Sequence, residues 1–195
     1  MGRELPPIEI ARATASDLAA LPDIERRACE LFRELPATAD LPLYLTPERD
    51  FDTARARGLL WAARAGSTPV GFVLLEPLGA GLHLEELDVL PEFGRRGIGR
   101  RLVAAACAAA GDRRLTLCTF RDVPWNAPFY TRLGFRELPA GDWPSELAAR
   151  VDEEAAHGLP RALRVAMVYE QPAADQSGRS ARASSISPGR LVPKP

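Results

Sequence analysis

Gly97 and Gly99 flank Ile98, where the leucine- and valine-rich run Leu87–Leu90 has given way to helix-forming residues, with Arg95, Arg96, Arg100 and Arg101 around them. That order reads as a strand, a tight turn and a helix start. Glycine takes backbone angles that other residues avoid and carries no Cβ, so an anion can lie directly against the peptide N–H groups. The helix after the turn adds unpaired N–H groups and the positive end of its dipole. The chemistry favoured here is the binding of a diphosphate. Two common phosphate loops do not fit. A nucleoside triphosphatase loop needs a lysine followed by Ser or Thr, and the chain has no lysine before Lys194. A dinucleotide fingerprint reads Gly-x-Gly-x-x-Gly, whereas Gly94, Gly97 and Gly99 run in the opposite order, Gly-x-x-Gly-x-Gly.

A second segment carries further candidates. Arg114–Phe120 alternates like a half-buried strand, and Asp122 or Asn126 is then expected to cap a short helix ending at Gly134. Together the two segments resemble the GNAT superfamily of N-acetyltransferases. The glycine turn is similar to its motif A, Gln/Arg-x-x-Gly-x-Gly/Ala, and Asn126 to Phe135 is similar to its later motif, Asn-x-x-Phe-Tyr-x-x-x-Gly-Phe. One residue departs from the pattern: Gly94 stands where the family carries Gln or Arg, which removes a side-chain contact and leaves the backbone cradle.

The resemblance covers Ile8 to Tyr169. It implies an α/β fold with a mixed, mostly antiparallel sheet of roughly six or seven strands, splayed between the fourth and fifth and flanked by helices. It implies acetyl-CoA as co-substrate. Gly94, Arg95, Arg96, Gly97, Ile98, Gly99 and Arg100 would surround the pyrophosphate, with Leu87, Asp88 and Val89 alongside through their backbone. Asn126 would bond the pantetheine arm, and Tyr130, with Phe129 beside it, would face the thioester sulfur. For Phe129, Leu133 and Phe135 the first reading is core packing of a helix on the sheet.

The reaction implied is direct transfer of an acetyl group to a primary amine in a ternary complex. An ammonium must lose a proton before it attacks, and relatives carry their general base at positions matching Glu85 or His83. Glu85 is preferred because a carboxylate also attracts the cation; His83 is second. Strict alternation would put His83, Glu85, Leu87 and Val89 on one face and Leu84, Glu86 and Asp88 on the other, and it assigns Glu86 and Asp88 to structure. In relatives the oxyanion is met by a backbone N–H of the strand matching Leu87 to Val89, at a bulge. Tyr130, a phenol, could protonate the departing thiolate.

These residues need elements to hold them. A first strand is expected over Ile8–Ala13, with Thr14 or Ser16 as the cap of the helical segment after it. Leu21, Ile24, Ala28, Leu31 and Leu35 recur at helical steps around and after Pro22. A shorter helix is expected over Pro47–Arg57, a hairpin from Leu59–Ala65 and Val70–Leu75, and a strand over Leu82–Leu90. Ile98–Ala110 reads as a helix stopped by Gly111, Pro144–His157 as a polar helix, and Arg164–Tyr169 as a closing strand.

Composition sets outer bounds. The 195 residues, 46% hydrophobic, suffice for one core, and the expected organisation is an N-terminal extension over 1–7, one domain over 8–170 and a disordered tail over 171–195. A net charge of -1 gives no broad attraction to nucleic acid or to a membrane, and the N-terminus has no apolar run of signal-peptide length, so a cytoplasmic protein is expected. Cys29, Cys107, Cys118, His83 and His157 lack metal-ligand spacing, so no metal is expected; a monomer or homodimer is. Glu34, Asp40, Glu85 and Asp122 would suit a cationic acceptor, whether small molecule, protein N-terminus or lysine, if the fold brings them together. Two other readings compete: a GNAT-like module that binds acyl-CoA without transfer, and an arginine-loop module for phosphorylated or nucleic-acid ligands.

Overall fold

The alternating runs become a seven-stranded sheet, seen in a computed structural model that describes residues 6–42 and 44–169. The expected tail over 171–195 lies outside the described residues, as does most of the N-terminal extension. Strands β1 (Ile8–Arg12), β2 (Leu60–Ala65), β3 (Thr68–Leu78), β4 (Gly81–Val89), β5 (Leu115–Phe120), β6 (Arg136–Glu137) and β7 (Arg164–Tyr169) lie in the order β1-β2-β3-β4-β5-β7-β6. Every pairing is antiparallel except β4 with β5. Parallel neighbours need a long crossover, and helix α3 (Ile98–Ala110) is part of it. Among the described residues no helix is long and apolar enough to cross a membrane.

The sheet opens where β4 and β5 part. Their ladder holds only Leu82↔Leu115, His83↔Thr116 and Leu84↔Leu117. Beyond it, β4 stays paired to β3 as far as Gly71↔Val89 and β5 stays paired to β7 as far as Phe120↔Arg164. Each strand is held by its outer neighbour, so the two can diverge without losing their sheet. A register shift marks the same place: Leu75 pairs with Leu84 and Leu74 with Glu86, leaving Glu85 as an extra residue on β4. A bulge of this kind bends the strand and re-aims side chains. The strict alternation expected along β4 therefore breaks at Glu85.

Helices α1 (Leu21–Cys29) and α2 (Glu48–Ala56) pack on β3 with its neighbours, and α3 packs on β1 to β4. The stripe on α3 buries Ile98, Leu102, Val103, Ala106 and Ala110 in the core it shares with the sheet. Each of its larger side chains contributes about 1.5–3 kcal/mol by leaving water.

Some local expectations are corrected. The periodic run to Leu35 is not one helix: a 3₁₀ turn over Leu18–Ala20 precedes α1, and another over Glu30–Glu34 comes after it. Leu35 is extended (φ -106°, ψ 125°), the conformation that Pro36 imposes on its predecessor, so the last turn tightens and stops. Neither Thr14 nor Ser16 caps. Asp17 organises that turn, accepting from the Thr14 N–H (2.6 Å) and hydroxyl (2.8 Å) and from Arg64 Nε (2.8 Å). Helix α4 (Ala127–Thr131) begins after Asn126, but neither candidate side chain caps it. Strand β6, two residues long, is too short to leave a periodic signal.

Candidate active site

Past Val89 the chain makes a 3₁₀ turn over Pro91–Phe93 and enters the glycine loop. Arg95 (φ 60°) and Gly97 (φ 75°) are left-handed, with Arg96 between them on the ordinary side. Alternating hands turn successive N–H groups toward one concavity. Gly97 is the residue before α3 and no side chain caps that end; the Arg101 N–H, bound to Gly97 O at 3.1 Å, makes the first return bond. The N–H groups of Ile98, Gly99 and Arg100 therefore open outward at the positive end of a 13-residue helix. A Cβ on Gly97 would meet nothing within 4 Å, whereas one on Gly99 would rest 3.5 Å from Phe129 Cζ. The arginines divide. Arg95, Arg96 and Arg100 are exposed at the loop, with Arg96 over the Phe93 ring, while Arg101 is spent on Ile8 O of β1 (3.0 Å).

Next to the loop, the gap between β4 and β5 is a cavity. Leu84 to Asp88 line one side and Cys118 to Phe120 the other, with Asn126, just before α4, and Tyr130 of α4 also in the lining. Arg150 and Glu153 come from α5 (Ser145–Ala156), and Phe32 and Tyr44 stand on the far side.

Glu85 reaches this cavity with its side chain 23% exposed and accepts from Arg150 Nη1 at 2.9 Å. Burial, against the pull of Arg150 and with repulsion from Glu76 and Glu154, lifts its carboxyl to about 7. His83 does not line the cavity. It is 1% exposed, and burial, with Arg150 and Arg164 nearby, drives its pKa down to about 3, so the ring is neutral. The Thr116 hydroxyl donates to Leu82 O (3.3 Å) and so accepts from His83 Nδ1–H (2.9 Å). That leaves the Nε2 lone pair toward Glu85 Oε2, 4.0 Å away. Of the two, Glu85 lines the cavity and His83 lies buried behind it.

Tyr130 is 6% exposed, packed edge-on against Phe129 (5.1 Å) and Phe135 (5.5 Å). Burial, then Glu86 and Asp88, push its phenol above the ordinary range, so it stays protonated and can only donate. It lines the cavity, and among the described residues its hydroxyl has no hydrogen-bond partner. Asn126 Nδ2 donates to Thr119 Oγ1 (2.7 Å), while its Oδ1 is buried without a partner and can accept from an N–H of a ligand.

Three carboxyls that sequence reasoning passed over or gave to structure meet below Tyr130. Glu25 of α1 joins Glu86 and Asp88 of β4, each offering an oxygen within 4.8 Å of the others. Burial and mutual repulsion raise the pKa values of Glu86 and Asp88, and burial raises that of Glu25. The signal for Glu25 was present: it lies four residues after Leu21 and next to Ile24, on the stripe that faces the core. Glu34, Asp40 and Asp122 do not join Glu85 in the cavity lining; Glu86, Asp88, Glu153 and Glu154 do. Cys29 and Cys118 line it as well, but burial raises both thiols, Cys118 to about 12, and leaves them unreactive.

Residues 56–137 match the family model of the acetyltransferase (GNAT) domain. Among solved structures, the PaiA N-acetyltransferase of Thermoplasma acidophilum in complex with coenzyme A is 19% identical, with a TM-score of 0.59, over 84% of this chain and 99% of that one. The ribosomal-protein-S18-alanine N-acetyltransferase of Escherichia coli is 17% identical, with a TM-score of 0.60, over 88% and 98%. N-acetylglutamate synthase of Neisseria gonorrhoeae, complexed with coenzyme A and N-acetyl-glutamate, is 15% identical, with a TM-score of 0.61, over 86% and 36%. The glycine loop and the parted β4 and β5 lie within the matched segment: residues 56–137 are similar to the GNAT acetyltransferase domain, and the chain shares the fold of these solved N-acetyltransferases.

Proposed function

We propose that the protein is an acetyl-CoA-dependent N-acetyltransferase that acts on a cationic primary amine by direct attack in a ternary complex. The observation that carries this reading is the gap between β4 and β5, with an uncapped helix end and glycine loop at its exit and with Glu85 and Tyr130 inside it. Structural neighbours crystallised with coenzyme A support the choice of co-substrate.

The N–H groups of Gly97 to Arg100 hold the diphosphate, with Arg95, Arg96 and Arg100 as screening charges. Gly94 adds no side chain. The unpartnered Oδ1 of Asn126 accepts an amide N–H of the pantetheine arm. The β4 edge from Glu85 to Val89 has lost β5 as a ladder partner, so its main chain can face the thioester and offer an N–H to the oxyanion. Glu85 takes the proton of the incoming ammonium, directly or through a water; with its pKa near 7 it is half ionised at neutrality and close to the optimum for a base there. As the C–N bond forms and the C–S bond breaks, Tyr130 donates a hydrogen bond to the leaving sulfur, and the proton that the new amide nitrogen sheds passes to the departing thiolate to give the free thiol. Its phenol is a weaker acid than a thiol, so its contribution is stabilisation of the developing charge. The acids of the lining suit a cation: of its three arginines, Arg150 and Arg164 are already bound to Glu85, Glu76 and Glu154, and Arg33 is exposed.

The test is release of free thiol from acetyl-CoA in the presence of a panel of amines. The reading expects amine-dependent release that Glu85→Gln sharply reduces. Coenzyme binding with no release for any amine would instead favour a binding module.

A further inference from the structure

Helix α1 brings Glu25 against Glu86 and Asp88 of β4, and these three carboxyls offer oxygens within 4.8 Å of one another. Glu25 is 0% exposed and Asp88 8%. Glu25 Oε1 is satisfied by the Thr46 N–H (2.8 Å) and hydroxyl (2.9 Å). Glu25 Oε2 and Asp88 Oδ2 are buried with no partner at all. An unsatisfied buried carboxylate oxygen is costly, and among the described residues no arginine reaches Glu25 or Asp88 by hydrogen bond to offset it. A cation held among the three would satisfy both orphaned oxygens.

We infer that Glu25, Glu86 and Asp88 form a binding site for a hard divalent metal ion beneath Tyr130. All donors are carboxylate oxygens, the set that calcium, magnesium and manganese prefer, with no nitrogen or sulfur. Calcium–oxygen distances of about 2.3–2.6 Å allow ligands on opposite sides of the ion to stand roughly 4.6–5.2 Å apart. Mutual distances within 4.8 Å are compatible with calcium coordination. Charge favours a metal over an organic ammonium, since three acids call for more than one positive charge. Burial does too: Glu25 is wholly buried on the inner face of α1, where a bare ion fits more readily than an alkyl-bearing nitrogen. The site is distinct from Glu85, and its occupancy does not depend on the proposed transferase activity. Glu86 and Asp88 are among the groups that raise the Tyr130 phenol, so an ion here would relieve that effect.

The direct test is calorimetric titration of chelator-treated full-length protein with Ca²⁺ and, separately, Mn²⁺. The expected result is saturable binding of one ion per chain, weakened at least tenfold in both Asp88→Asn and Glu25→Gln and unchanged in Glu153→Gln, an exposed acid of the same cavity. Both charge-removing variants are isosteric, and a cooperative melt of each establishes that it is folded; either alone suffices. The inference is overturned if neither ion is taken up at about 1 mM, the weak end of biological calcium sites, or if uptake is indifferent to Asp88→Asn. It is also overturned if 1,4-diaminobutane binds in an Asp88-dependent manner while neither metal does, which would make the cluster an acceptor subsite. Failure of thiol release with every amine would leave these outcomes untouched.

Discussion

Glu85 joins partial exposure to a carboxyl held near neutrality, and that pairing separates it from His83 two residues earlier. Glu85→Gln should lower turnover by about 10²–10⁴, the usual contribution of a positioned base, and coenzyme affinity should be unchanged. The sign of the pH dependence comes from the direction of the shift: the base is active when ionised, so wild-type turnover should rise through about pH 7 to a plateau. Steady-state rates across pH check this, and a profile that falls through that range would exclude Glu85. Tyr130→Phe should keep coenzyme affinity and lower turnover at least tenfold, about 1.4 kcal/mol of barrier; equal turnover would remove the phenol from the chemistry. The placement of Tyr130 and Asn126 at the cavity was legible because the motif spacing sets them one helical turn apart. The choice between Glu85 and His83 was not, because a one-residue bulge and the burial of an imidazole depend on pairing with β3 and β5, which no local pattern in β4 reports.

Among the elements, α3 was read at its observed bounds, since a left-handed glycine opens it and another stops it; β7 was read equally well. Where a proline or a partner strand decides, local pattern failed: α1 breaks into 3₁₀ turns before Leu35-Pro36, and β6 exists only through its pairing with β7. The glycine loop supplies an element-scale prediction. Gly97→Ala places a side chain at φ 75°, a strain of roughly 1–2 kcal/mol, and projects a methyl into the open concavity proposed for the diphosphate. Gly99→Ala meets only an ordinary contact with Phe129. Coenzyme affinity should therefore fall at least tenfold for Gly97→Ala and less than threefold for Gly99→Ala, and the reverse order by calorimetry would reject the cradle. These bounds are roughly what the strain and the lost N–H contacts allow.

Across the whole molecule, one sheet does two things at once: its outer pairings hold the core, and the parting of β4 from β5 leaves room for chemistry. The family pattern made that parting legible in advance, whereas the buried acids packed behind it were hidden, because convergence of α1 on β4 leaves no mark in either segment alone. Those acids bear on stability. Their folded pKa values are raised, so the folded state holds protons more tightly than the unfolded one, and stability is lost as pH climbs above the ordinary carboxylate range. In chelator-treated protein, Asp88→Asn should therefore raise the melting temperature more at pH 8 than at pH 5; an advantage that shrinks as pH rises would mean Asp88 is stabilised as a carboxylate. The most direct measurement on the central claim is calorimetric titration of the full-length protein with coenzyme A. Saturable uptake of one coenzyme per chain, cut at least tenfold by Gly97→Ala, is the predicted result; no uptake at millimolar coenzyme by folded protein would contradict it.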